Sequence, residues 1–350
     1  MASAPYNFDA ADKALLTEMQ KQFPLTHRPF QVLGEKVGIA ELDCLERVGR
    51  LKSTGVIRQL SAIFDTRALG YQSSLVAMML EQSRVEEAVQ IINQHPGVSH
   101  NYKRDDRFNI WFTIAVPPSD TLEQVIQILH ALAGSDETII LPTLRLYKIG
   151  VKLDLTDQGE LLEEPDEIYG ESRQMSQRPP LSTEDIRFIR IMQEDLPLLE
   201  IPYAVWAEQS DSTEEELFTW ARTMEQRGYL RRFAAILSHR KAGFLANAMV
   251  VWQVPEEQVD TVGEQMALFR EVSHCYRRPT YPNWPYAIFT MIHGRTYDAC
   301  MEVVKRIEER VGQFQHKGIL SIKEYKKIRV KYFTPELDDW WKNIGSKVSL

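Results

Sequence analysis

The segment from Val272 to Gly294, VSHCYRRPTYPNWPYAIFTMIHG, gathers two histidines, two arginines, three tyrosines, a tryptophan and three prolines. Guanidinium forks hold carboxylates at two points, aromatic faces stack on flat rings, and proline stiffens the wall that presents them. This combination suits a rigid pocket for a planar ligand carrying carboxylates. The plainer alternative is a stiffened loop whose arginines face solvent. A second block, RRFAAILSHRKAGF, adds Arg231, Arg232, His239 and Arg240. Imidazole titrates near neutrality without help and is also a common metal ligand. His274 and His239 therefore compete for two roles, proton donor and metal ligand, and their spacing does not divide them.

The elements that must position these residues are written twice. GVIRQLSAIFDTRALGY (Gly55 to Tyr71) answers GYLRRFAAILSHRKAGF (Gly228 to Phe244), VSHNYKR (Val98 to Arg104) answers VSHCYRR (Val272 to Arg278), and KIGVK (Lys148 to Lys152) answers KIRVK (Lys327 to Lys331). The blocks keep their order, so a whole unit of about half the chain is duplicated. Two similar but unequal units suit an internal pseudo-dimer. Copy one supplies Arg58, His100 and Arg104 at the places of Arg231, His274 and Arg278, but Thr66 where copy two has His239.

Each copy opens with a helical piece. Leu33, Val37, Ile39, Leu42, Leu45, Val48 and Leu51 follow the spacing of a buried helix stripe, and Gly38 marks a tight break, which together read as helix-turn-helix. Copy two repeats the pattern, with Ser212 and Glu215 at the spacing of a capping box. The period then changes. SSLVAMMLE and FNIWFTIAV read as strands around a helix, a further helix spans Thr121 to Ala133, and more strand follows; copy two matches. The fold class is α+β, two tandem units each pairing a helix-turn-helix domain with a ferredoxin-like βαββαβ domain. The boundaries read as 1–62 and 63–155 for copy one, a linker at 156–181, 182–235 and 236–335 for copy two, and a tail at 336–350.

At 350 residues, 44% hydrophobic and 26% charged, the chain fits a folded multidomain protein and neither a disordered nor a fibrous one. No run is long enough to span a bilayer and the N-terminus lacks a signal-peptide pattern, so a cytoplasmic protein is expected. Cys44, Cys275 and Cys300 lie too far apart for a zinc motif and read as reduced thiols.

Helix-turn-helix joined to βαββαβ resembles the Lrp/AsnC regulators. DNA binding wants positive or neutral residues on the recognition helix. Copy two instead offers Asp211, Glu214, Glu215 and Glu216, copy one offers Glu41, Asp43 and Glu46, and the net charge is −8. No nucleic-acid partner is expected.

A more specific resemblance follows. HCYRRP with YPNWPYAIFTMIHG and RRFAAILSHRKAGFLANAMVVW resembles the siroheme decarboxylases, an offshoot of that fold; HPGVSHNYKRD and FNIWFT resemble their partner subunit. The chain is thus similar to the fused form associated with heme d1 biosynthesis. The resemblance implies loss of carbon dioxide from the acetates on rings C and D of siroheme to give didecarboxysiroheme, serving heme d1 or an alternative route to heme b. It implies catalytic roles for His274, Tyr276 and Arg278. Substrate contacts fall to Arg231, Arg232, Arg240, Arg277, Tyr281, Trp284, His100, Arg104 and Arg58, and axial ligation of the iron to His239. No cofactor is needed beyond the iron tetrapyrrole, and the chain is expected to act as an internal pseudo-heterodimer that could dimerise further. One departure stands out: the partner-subunit pattern R-D-H reads Arg104, Asp105, Asp106 here, which removes a histidine from copy one. The competing readings are a DNA-binding regulator and a heme sensor without turnover.

Overall fold

The computed structural model describes residues 8–149, 179–237, 246–294 and 296–344. Most of the expected linker, and His239 and Arg240 with it, lies outside the described residues.

Helices α1 (Ala10–Lys21), α2 (Pro29–Val37) and α3 (Glu41–Ser53) form the first helical unit. Pro29 starts α2, where its missing N–H leaves no bond unmade, and Gly38 ends it at φ 81°, a left-handed conformation that glycine takes without a Cβ clash. Helices α6 (Thr183–Met192), α7 (Pro202–Gln209) and α8 (Glu214–Gln226) repeat the arrangement, with Pro202 in the place of Pro29. The capping box of α8 is Thr213 with Glu216, one residue beyond the Ser212 and Glu215 that the spacing suggests. Ser212 instead shares a hydrogen bond with Ser210, 2.9 Å away.

The two helical units are one body. Strand β1 (Ile57–Phe64) pairs antiparallel with β7 (Leu230–Leu237), and Phe23 of copy one donates its N–H to the Phe233 carbonyl at 2.7 Å. A single buried cluster then runs from Leu15, Phe30 and Val48 to Tyr203, Trp206 and Phe218.

Two five-stranded sheets follow. Sheet one runs β12 (Ser321–Lys327), β3 (Val98–Arg104), β4 (Ile110–Val116), β2 (Gln72–Met79), β5 (Glu137–Pro142). Sheet two runs β6 (Arg145–Ile149), β9 (Val272–Arg277), β10 (Ile288–Gly294), β8 (Ala246–Trp252), β11 (His316–Ile319). Each sheet therefore begins with a strand from the other copy. Lys327 lies opposite His100, and Ile149 opposite His274. The sequence suggests two self-contained βαββαβ domains. The folded chain instead exchanges their last strands, because an uncovered β3 or β9 would leave a row of backbone donors and acceptors unpaired.

Helices α4 (Val85–Gln94) and α5 (Leu122–Ala133) cover the outer face of sheet one; α9 (Val259–Ala267) and α10 (Tyr297–Val311) cover that of sheet two. The inner faces meet through Ala77, Trp111, Leu141, Val251, Trp284 and Ile319. Cys44, Cys275 and Cys300 are free and buried. The expected tail is in part a helix, α11 (Pro335–Asn343), which returns to copy one. Trp340 packs edge-on against His95 with ring centroids 4.5 Å apart, and Trp341 Nε1 donates to Asp120 at 2.7 Å. Among the described residues no helix is long and apolar enough to cross a membrane.

Two expectations follow. If the exchanged strands and shared cores hold the copies together, cutting the chain at a protease site introduced within 156–181 should leave the halves co-eluting in native size-exclusion chromatography and parting only in denaturant. Separation in native buffer would show the copies to be independent. The second concerns acid. His95 is fully buried, accepts the Gly97 N–H on Nδ1 at 3.0 Å, and has its pKa pushed down to about 3, first by burial and then by the Lys326 charge. A folded pKa below the unfolded one means that the unfolded chain takes the proton first. Stability should therefore hold above roughly pH 6.5 and decline toward pH 3, by up to about 1.4 kcal/mol per pH unit from this group. Urea titrations of His95→Gln across that range should show a shallower dependence than the wild-type chain, and identical slopes would count against it.

Candidate active site

Strands β3 and β9 carry the same alternating triplet. His100, Tyr102 and Arg104 lie along one face of β3, and His274, Tyr276 and Arg278 along one face of β9 and its continuation, since every second residue of a strand shares a face. The rings of His100 and Tyr102 are 6.3 Å apart and 26° from parallel; those of His274 and Tyr276 are 5.9 Å and 31°. Arg104 stands over Tyr102 at 5.4 Å, and Arg278 over Tyr276 at 4.8 Å and Phe289 at 5.4 Å. Burial pushes the Tyr276 hydroxyl up to about 12, so it stays a proton-bearing donor at neutral pH.

The two arginines do not reach into open solvent as a substrate clamp would. They are 7% and 9% exposed. Arg104 donates to the Ile319 carbonyl of copy two at 3.2 Å, and Arg278 to the Leu141 carbonyl of copy one. Each pins its own copy to the β5 or β11 strand of the other. Neither has a carboxylate partner among the described residues, and burial lowers both to about 10, far above neutrality, so both remain charged. Arg277 is turned to the opposite face by the strand's alternation. There it pairs with Glu256 and with Asp260 at 3.5 Å, both on the α9 side, away from the face that carries His274.

Trp284 and Tyr281 are also placed differently from the open pocket wall that the sequence suggests. Tyr281 and Trp284 exchange backbone hydrogen bonds of 2.8 and 2.9 Å, and the Tyr281 hydroxyl donates to Ile140 at 2.6 Å. Trp284 is 3% exposed and packs on Trp111, Phe108 and Tyr286, so it fills the space between the sheets. Arg58 is exposed and donates to the Lys327 carbonyl at 3.2 Å; Arg231 pairs with Asp65 at 2.9 Å; Arg232 is half-buried on β7.

The imidazoles differ between copies. His100 Nδ1 lies 3.0 Å from Ser99 Oγ, which in turn meets Thr113 Oγ1 at 2.8 Å. Burial, and then the charges of Lys327 and Arg58 against an opposing Glu324, push His100 down to about 4. It is neutral near pH 7 and has little proton to give. His274 Nδ1 lies 2.8 Å from Ser273 Oγ, and that hydroxyl lies 2.7 Å from His293 Nε2. The sequence pattern assigns no role to His293 or Ser273; the serine before the histidine in both VSH blocks is the available signal. Asp106, where the partner-subunit pattern has histidine, accepts the Phe108 N–H at 3.0 Å and pairs with Lys317 of β11. The lost histidine has become another contact between copies.

A tandem pair of Lrp/AsnC-type units, with acidic turns where DNA would be read and a histidine face inside the sheets, defines an enzyme-like member of that fold class. Residues 68–148 and 241–326 match the AsnC-like ligand binding domain, and residues 12–58 and 185–231 the siroheme decarboxylase NirDL-like HTH domain. The chain is 38% identical over 333 residues to a siroheme decarboxylase of Hydrogenobacter thermophilus, covering 95% of this chain and 98% of that one. It is 41% identical over 147 residues to the siroheme decarboxylase beta subunit of Methanosarcina barkeri, covering 42% of this chain and 97% of that subunit. The crystal structure of the siroheme decarboxylase NirDL in complex with an iron-uroporphyrin III analogue matches with a TM-score of 0.77 at 32% identity, covering 97% of this chain and all of that one. The chain belongs to the siroheme decarboxylase family, in its fused two-subunit form, and is a decarboxylating lyase.

The pins can be told from surface pairs by stability. Arg278→Ala leaves the buried Leu141 carbonyl without its donor, which should cost about 1 to 3 kcal/mol. Arg277→Ala removes only rim ion pairs, worth about 0 to 1 kcal/mol. Chemical denaturation of both variants should show the larger loss for Arg278; equal losses would refute the assignment of Arg278 as a pin.

Proposed function

We propose that this enzyme removes carbon dioxide from the acetate side chains on rings C and D of siroheme, giving didecarboxysiroheme for heme d1 formation or an alternative route to heme b. Departure of carbon dioxide leaves an electron pair on the former CH₂ carbon. The conjugated macrocycle of the substrate can hold that pair, so the reaction asks for no further organic cofactor. A proton must then reach the carbon to make a methyl group. The observation that carries the reading is His274, a half-buried imidazole on the inner face of sheet two, tied through Ser273 to a second imidazole. It is the natural general acid. His100, held neutral, is a poor donor by comparison.

Arg231, Arg232 and Arg240 are assigned to the substrate's carboxylates and His239 to its iron. Copy one shapes the site and closes it through Arg104, Asp106 and the exchanged strand β6. A DNA-binding role finds less support. His27 and the cation Arg28 contact Glu214 and Glu41 at the starts of α8 and α3, so acid groups occupy both recognition helices.

Anaerobic incubation with siroheme should yield a product lighter by two carbon dioxides, read by mass spectrometry. Binding without change of mass would leave a heme sensor. His274→Ala should keep the visible spectrum of bound siroheme while turnover falls about a hundredfold, the scale of a lost general acid. His239→Ala should alter the spectrum. The reverse pattern would exchange the two roles.

A further inference from the structure

The two copies present the same Ser-His dipeptide, yet the hydroxyl leads to different places. In copy one Ser99 Oγ joins His100 Nδ1 at 3.0 Å to Thr113 Oγ1 at 2.8 Å. A threonine hydroxyl does not titrate in water, so that chain ends there. In copy two Ser273 Oγ joins His274 Nδ1 at 2.8 Å to His293 Nε2 at 2.7 Å, with the Met291 carbonyl farther off at 3.3 Å. Ser273 is 2% exposed, so water does not compete for its one proton. The position matching His293 in copy one is Ala115, 3% exposed and packed in the core, and no imidazole could be recruited there.

We propose that His293, acting through Ser273, supplies the proton that His274 delivers to the decarboxylated carbon. The inference rests on His274 as the donor and adds to it a positioning residue. A neutral imidazole that gives up its only N–H would become an anion, which is prohibitive near neutral pH. The relay removes that obstacle. His293 begins as the imidazolium and donates its Nε2 proton to Ser273 Oγ; the serine hydroxyl proton passes to His274 Nδ1; the His274 Nε2 proton passes to the carbon as the C–CO₂ bond breaks. The carbon gains one proton, carbon dioxide leaves, His293 ends neutral and His274 ends as the Nδ1–H tautomer. A solvent proton reaching Nε2 after product leaves, with the Nδ1 proton returning through Ser273, restores the starting state.

The backbone of His293 lies beside Glu271, and its N–H donates to the Glu271 carbonyl at 3.0 Å. The Glu271 carboxylate, against the cost of its burial, is kept below the ordinary range by Arg306, with which it pairs. Beside His274 lie the neutral Tyr276 on its own strand and, across the strand pair, the apolar Ile149.

The test uses the full chain and siroheme under anaerobic conditions. His293→Ala should lower kcat about ten- to a hundredfold with siroheme affinity and spectrum unchanged, and millimolar imidazole should restore part of the rate. Loss of the imidazolium should make wild-type kcat fall with rising pH, and that fall should disappear in the variant. His293→Gln, which keeps a hydrogen-bond donor but cannot titrate, should be equally slow, which separates proton supply from packing. A wild-type rate and pH profile in His293→Gln would overturn the relay while leaving His274 as donor. Full turnover in His274→Ala would overturn the donor assignment and the relay with it, and an unchanged substrate mass with the wild-type chain would overturn the proposed reaction itself.

Discussion

The exchange of strands β6 and β12 is the constraint from which the rest of this molecule follows. A strand's backbone donors and acceptors must be paired, and β3 and β9, which carry the histidine triplets, each find their outer partner only in the other copy. Neither sheet is therefore complete from one copy. Ile149 of copy one borders His274, and Lys327 of copy two borders His100. The ribbon of β1 and β7 and the continuous helical core enforce the same arrangement from the other end.

That intertwining explains how charge is spent in a chain of net negative charge. Arg104 and Arg278 are held in low dielectric by carbonyls of the opposite copy and by the faces of Tyr102 and Tyr276, where a cation and an aromatic quadrupole attract. Burial lowers their pKa, but not nearly enough to discharge them. A positive charge therefore stands two residues beyond each tyrosine near neutral pH. Asp106 and Lys317 complete the same seam.

Once the copies are locked, they are free to differ. His100 is held neutral by burial first and then by Lys327 of copy two and Arg58 of copy one; His274 has a serine and a second imidazole. The contrast needs no change of fold. It comes from which side chains sit on β4 and β10, Thr113 and Ala115 in one and Met291 and His293 in the other. The helix-turn-helix units have in the same way kept their packing while their recognition helices carry acid in the first turn.

The duplication, the α+β class and the helix-turn-helix pieces were legible in the sequence because they rest on local periodicity and on side-chain types repeated in order. That His274, Tyr276 and Arg278 share a face was legible too, by simple alternation, and the same alternation could have set Arg277 aside. The Ser212 capping reading missed by one residue, as helix ends do when adjacent hydroxyls compete for the same amides. What only the tertiary structure decided was who pairs with whom: that the last strand of each copy leaves its own sheet, that Trp284 fills a core, that α11 docks on His95, and that Ser273 lies between His274 and His293. These depend on contacts between residues far apart in the chain, and a one-dimensional pattern carries the period of an element but not the identity of the backbone that satisfies its edge.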